Sequence, residues 1–105
     1  MEFKKLVEQA KEIRAKYAEL EMKKHGRKWT SQELFQGFVG DVGDLGKLIM
    51  AKEGIRDAEN IDEKLSHELA DCLWSILVIA DEYNIDLETE FLKTMDELKE
   101  RIKKS

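Results

Sequence analysis

Leu69-Ala-Asp-Cys-Leu-Trp-Ser-Ile-Leu-Val-Ile-Ala80 decides how the rest of the chain must be read. Only Asp71 and Ser75 are polar in this run. The run predicts a helix from near Ile61–Asp62 to Glu82 or Tyr83, broken by Asn84. A helix that is apolar nearly all round is central, covered on both sides by other helices or by a partner chain. Asp71 is therefore expected to sit in protein rather than in water, with Glu68 one turn before it.

Three amphipathic segments surround that helix. Phe3, Leu6, Ala10, Ile13, Tyr17 and Leu20 follow a 3-4-3-4-3 spacing, which predicts a first helix over residues 2–24 ended by Gly26. Thr30 or Ser31 starts a second helix, in which Leu34, Phe35, Phe38, Val42, Leu45, Leu48 and Ile49 keep a helical period to about Glu53, with Gly54 as its stop. Asp86 caps a last helix with the stripe Leu87, Phe91, Met95, Leu98 and Ile102. Loops of roughly four to eight residues join them, as helix bundles prefer. The expectation is an all-α, four-helix bundle forming one domain over residues 1–105.

Composition points the same way. Of 105 residues, 42% are apolar and 39% charged, with no proline and six glycines, a mixture suited to amphipathic helices. The N-terminal MEFKKLVEQAKEIR is interrupted by charge too often for a signal peptide, and no apolar run approaches the ~20 residues of a membrane span. The chain thus reads as cytoplasmic, with no membrane partner. A net charge of −5 gives no general attraction for a nucleic-acid polymer. Cys72, alone, builds neither a disulfide framework nor a zinc site. Met22, Met50 and Met95 read as packing, as do Cys72 and Trp74.

The second helix carries two anomalies. Gly37, Gly40, Gly43 and Gly46 recur every third residue, each costing roughly 1 kcal/mol of helix propensity relative to alanine. Close approach of another helix explains them, and room for a ligand is the alternative. On a wheel centred at Phe38, Asp41 falls at about −60°, between Leu34, Leu45 and Leu48, and Asp44 at about −120°. Glu68 and Asp71 repeat the i,i+3 spacing on the apolar helix. Both pairs can aim two carboxylates at one point. Ion pairs of Lys47 with Asp44 and of Lys64 with Glu68 are the ordinary way to neutralise such charges, but they leave Asp41 and Asp71 unexplained. A hard divalent cation explains all four: an all-oxygen donor set suits Mg²⁺ or Mn²⁺, and without His or Cys ligands zinc is disfavoured.

Gly40-Asp-Val-Gly-Asp-Leu45, His67-Glu-Leu-Ala-Asp-Cys-Leu-Trp74 and Tyr83-Asn-Ile-Asp-Leu87 together resemble the signatures of the MazG-like, all-α nucleoside triphosphate pyrophosphohydrolases. That resemblance implies helices packed across an intertwined homodimer, or a dimer of dimers (a homotetramer). It also implies Mg²⁺-dependent hydrolysis of a (d)NTP to (d)NMP and pyrophosphate, as nucleotide-pool house-cleaning, with Mn²⁺ as a substitute ion. By position, Asp41, Asp44, Glu68 and Asp71 fall on the family's metal-binding acids, with Asp41 or Asp44 activating water. Trp29 becomes a candidate for stacking on the base, beside its other reading as a packing residue before the helix. Lys47, Lys52, Lys93, Arg56 and Arg101 become candidate phosphate contacts. The chain departs from the family in having Asp for Glu at 41 and 44, and Thr94 and Leu98 where a Lys and an Asn are usual. Those departures motivate a second reading, a catalytically weak or inactive MazG-like nucleotide-binding or regulatory protein. A third, a helical interaction module built on the Phe3–Leu20 stripe, leaves Asp41 and Asp71 without a reason.

Overall fold

The computed structural model describes residues 2–54 and 59–105. They form four helices, α1 (Phe3–His25), α2 (Ser31–Lys52), α3 (Ile61–Glu82) and α4 (Leu87–Lys103), with no strand among the described residues. The all-α expectation and the order of the helices hold, with ends within a residue or two of those read from the sequence. Arg56 lies outside the described residues.

Local chemistry sets the ends. Gly26 takes φ 72°, a left-handed conformation open to glycine, and its N–H donates to the Met22 carbonyl to close α1. Thr30 caps α2 in a capping box: its hydroxyl accepts from the Glu33 N–H, and the Glu33 carboxylate accepts from the Thr30 N–H. Arg27 adds a two-pronged contact to Glu33, at 2.6 and 2.9 Å. That guanidinium, and then the Thr30 N–H, hold the Glu33 carboxyl down at about 2. Asn84, at φ 56°, makes the break after α3, and Asp86 caps α4 by accepting from the Thr89 N–H.

α3 is the central helix, packed along α2 and crossed by α1. Ala10, Leu34, Leu77 and Val78 form the buried cluster, flanked by Phe3, Leu6, Val7, Trp74 and Leu87. The Trp74 indole N–H donates to the Ala10 carbonyl at 3.2 Å, tying α3 to α1. Cys72 is buried, as its place in the apolar run predicts.

Coverage of α3 on both sides is not achieved within the described residues. Leu69, Leu73 and Ile76 share one face of α3, and that face is 40–53% exposed. α2 also has a second apolar face, with Phe35, Val39, Val42, Ile49 and Met50 exposed. Met22 and Met50, read as packing, are exposed as well. α4 leaves the cluster after Leu87, with Phe91, Leu92 and Ile102 largely open. The Cα radius of gyration is 16.8 Å, against about 13 Å for a compact domain of this length. A methyl group added at Gly37, Gly40, Gly43 or Gly46 would meet no heavy atom within 4 Å, so no described helix of the chain approaches those glycines closely.

Candidate functional site

α2 and α3 lie alongside each other over most of their length, which brings the two acidic pairs together. One carboxylate oxygen from each of Asp41, Asp44 and Glu68 lies within 4.8 Å of the others. Asp71 stands beside this trio. Its carboxylate is 3.2 Å from His67 Nε2 and its side chain is 44% exposed, so it is wetter than its apolar neighbours in sequence suggest. The i,i+4 spacing sets His67 beside Asp71 on α3. The sequence offers this histidine either as touching the site or, more ordinarily, as facing water, and the imidazole is both 75% exposed and in contact with the Asp71 carboxylate.

The ordinary neutralising pairs are not made. Among the described residues neither Lys47 with Asp44 nor Lys64 with Glu68 forms an ion pair, and no Lys or Arg reaches the four acids. The consequence is electrostatic. Burial, then the charges of Asp71 and Asp44, hold the Asp41 carboxyl above its ordinary range. Burial, then Asp41, Asp71 and Asp44, do the same to Glu68. The Cys72 thiol behind them is pushed up by burial first and by the same acids second. Uncompensated carboxylates on facing helices fit a hard dication by the chemistry of their donors: oxygens only, negatively charged, and gathered at one place.

A pocket of about 470 Å³ opens beside the acids, lined on α3 by His67, Ala70, Asp71 and Trp74 and on α2 by Leu34 and Asp41. Its far side is α1, through Ile13, Arg14, Tyr17 and Glu21, and Trp29 stands at the α1–α2 turn. Tyr17 meets Trp74 edge-on, with ring centroids 6.0 Å apart. Trp29 and Leu34 both line this pocket, and Trp29 is 46% exposed. Thus Asp41 belongs to both the acid trio and the pocket wall.

The basic candidates are elsewhere. Lys93 and Arg101 border a shallow surface along α4 with Asp96, Glu97 and Glu100, and Lys52 pairs with Asp62. Lys47 borders neither that surface nor the pocket. Sequence reasoning missed Arg14, Tyr17 and Glu21 as pocket residues. A signal existed: Arg14 and Glu21, seven apart, both fall within about 40° of Ala10 on the α1 wheel, inside or beside the apolar stripe.

Comparison with known families bears on the same helices. The family model described as the MazG nucleotide pyrophosphohydrolase domain matches residues 30–105. That span takes in α2, α3, α4 and all four acids, and it leaves α1 and Trp29 outside. No curated protein and no solved structure matches the chain.

Proposed function

The chain belongs to the MazG nucleotide pyrophosphohydrolase family, and from that membership we propose that it hydrolyses a (d)NTP to (d)NMP and pyrophosphate, in nucleotide-pool house-cleaning. The observation that carries this reading is the trio Asp41, Asp44 and Glu68, gathered beside an aromatic pocket with no Lys or Arg among the described residues to neutralise it. Asp41, Asp44, Glu68 and Asp71 are the residues that would hold Mg²⁺, or Mn²⁺ in its place. When bound, such ions supply the positive charge a triphosphate needs to approach four acids, and they make water acidic enough to attack near neutral pH.

The chain's own groups do the rest. The pocket receives the nucleoside: Tyr17, Trp29 and Trp74 offer faces and edges to a base, and Ile13, Leu34 and Ala70 exclude water around it. Asp41 borders that pocket, so of the two candidates for taking the proton of the attacking water it is the better placed. The His67 imidazole at 3.2 Å orients the Asp71 carboxylate. Lys47, Lys93 and Arg101 stay as phosphate contacts only if a second copy of the chain brings them to the pocket.

A second copy is part of the proposal. The open faces of α2 and α3, the stand-off of α4 and the large radius of gyration support a protomer completed by its own twin, as a homodimer or a homotetramer. Gly46 lies at the centre of the open α2 face, where a missing side chain lets another helix come near.

The test is a screen of nucleoside triphosphates for pyrophosphate release, with Mg²⁺ and then Mn²⁺. Pyrophosphate, and not orthophosphate, is the expected product. The shorter arms of Asp41 and Asp44 and the absence of the usual Lys and Asn at Thr94 and Leu98 favour one other reading, a nucleotide-binding or regulatory relative without turnover. Calorimetric titration with Mn²⁺ separates the two, since a hydrolytic site takes up the ion and a degenerate one does not.

A further inference from the structure

α1 contributes a buried ion pair that neither metal binding nor water activation uses. Arg14 and Glu21 are two turns apart on one face of α1, with side chains 11% and 7% exposed. Both terminal nitrogens of the Arg14 guanidinium reach the Glu21 carboxylate at 3.1–3.2 Å. The pair also holds the main chain of Trp29 at both ends. The Trp29 N–H donates to Glu21 Oε1 at 2.7 Å, and the Trp29 carbonyl accepts from Arg14 Nη2 at 3.2 Å. One cation and one anion thus satisfy the acceptor and the donor of a single peptide residue, with opposite polarity at each.

Stability alone gives little reason for such a pair. Two charges taken out of water on a small helical protein are often replaced by apolar residues without loss. What the pair does provide is a fixed place for Trp29, which sits at the mouth of the pocket shared by Arg14, Glu21, Tyr17 and Asp41. The turn is pinned on its other side by the Arg27–Glu33 contact and the Thr30 capping box. A connection of so few residues, held at both ends, fixes the point and direction from which the Trp29 side chain leaves the backbone.

We propose that Arg14 and Glu21 are positioning residues: they clamp the Trp29 backbone and so hold the Trp29 ring as the wall that a nucleoside stacks against. The consequence for substrate rests on the nucleotide reading above, whereas the clamp itself rests on the hydrogen bonds. All three residues precede the span matched by the family model, so the device is a property of this chain's first helix and turn.

Exchanging the charges separates pairing from clamping. The double variant Arg14→Glu/Glu21→Arg keeps the ion pair but reverses its polarity. A guanidinium on the second of these positions would face the Trp29 N–H, donor against donor, and a carboxylate on the first would face the Trp29 carbonyl, acceptor against acceptor. Acrylamide quenching of tryptophan fluorescence, with Trp29→Phe identifying the share of Trp29, reads the clamp without any activity. Steady-state assays with Mg²⁺ and dATP, dCTP, dGTP and dTTP read the stacking wall. The exchanged variant is expected to keep its helical circular dichroism, to quench about twice as readily, and to raise KM about tenfold, the size of one lost stacking contact, with kcat changed by less than about threefold. Glu21→Gln, whose amide oxygen still accepts from the Trp29 N–H, is expected to stay within about threefold of the parent KM, while Glu21→Leu behaves like the exchange.

A folded exchange variant with parental quenching overturns the clamp, and raised quenching with parental KM overturns its role in substrate binding. Should the exchange variant not fold, equal quenching in Glu21→Gln and Glu21→Leu overturns the clamp instead. A parent chain that releases no pyrophosphate from any nucleoside triphosphate refutes the hydrolytic reading, with the quenching result still deciding the clamp.

Discussion

Asp41 shows how much a single position carries. It touches the acid trio and the pocket, and its proton is held more tightly than usual by burial and by neighbouring acids. The same holds for Glu68. A carboxyl whose pKa is raised on folding stabilises the fold fully below its unfolded value, here 3.8 and 4.5, and that help is lost as pH rises through the raised folded value. The metal-free protein should therefore melt lower at pH 7.5 than at mildly acidic pH, as differential scanning calorimetry would read. Asp41→Asn should raise the metal-free melting temperature at pH 7.5. Saturating Mn²⁺ should raise the parent's melting temperature by about 5 °C or more, and Asp41→Asn should abolish that gain. Alanine at Glu68 or Asp71 should cut pyrophosphate release by at least about 100-fold, with circular dichroism unchanged. The acids were legible in the sequence because charge inside an apolar arc is conspicuous. The His67–Asp71 contact was not, since an i,i+4 pair is one of several partners an acid can choose.

The helices were equally readable, because their ends are made by local chemistry. Gly26, Thr30, Asn84 and Asp86 each act within a few residues of themselves. Glu33 lets this be measured. Its folded carboxyl lies at about 2 against an ordinary 4.5, so its contribution is present above 4.5 and is lost as pH falls to about 2. Glu33→Gln should lower the melting temperature at pH 7, and the difference from the parent should close below about pH 2. The glycines of α2 give an element-scale test of what lies outside the chain. Gly40 falls away from both apolar faces, so Gly40→Ala should stabilise the helix by about 1 kcal/mol in urea unfolding. Gly46 lies within the open apolar face, so Gly46→Ala should instead weaken self-association on analytical ultracentrifugation.

At the scale of the whole molecule, α3 remains half covered. A dimer that buries Leu69, Leu73 and Ile76 should appear as at least twice the chain mass in light scattering. Leu73→Glu should shift it to the monomer, because the dimer would bury a charge without a partner, and loss of that interface should lower the melting temperature. What the sequence determined by itself was periodic or local: four helices, their caps, and the acids at i,i+3 on two of them. Those follow from the 100° turn of a helix and from hydrogen bonds that close within four residues. Tertiary structure alone decided which carboxylates meet, that α1 walls the pocket, and that Arg14 and Glu21 converge on Trp29. Each depends on the position of one helix relative to another or to the turn that joins them, and helical periodicity carries no record of that relation.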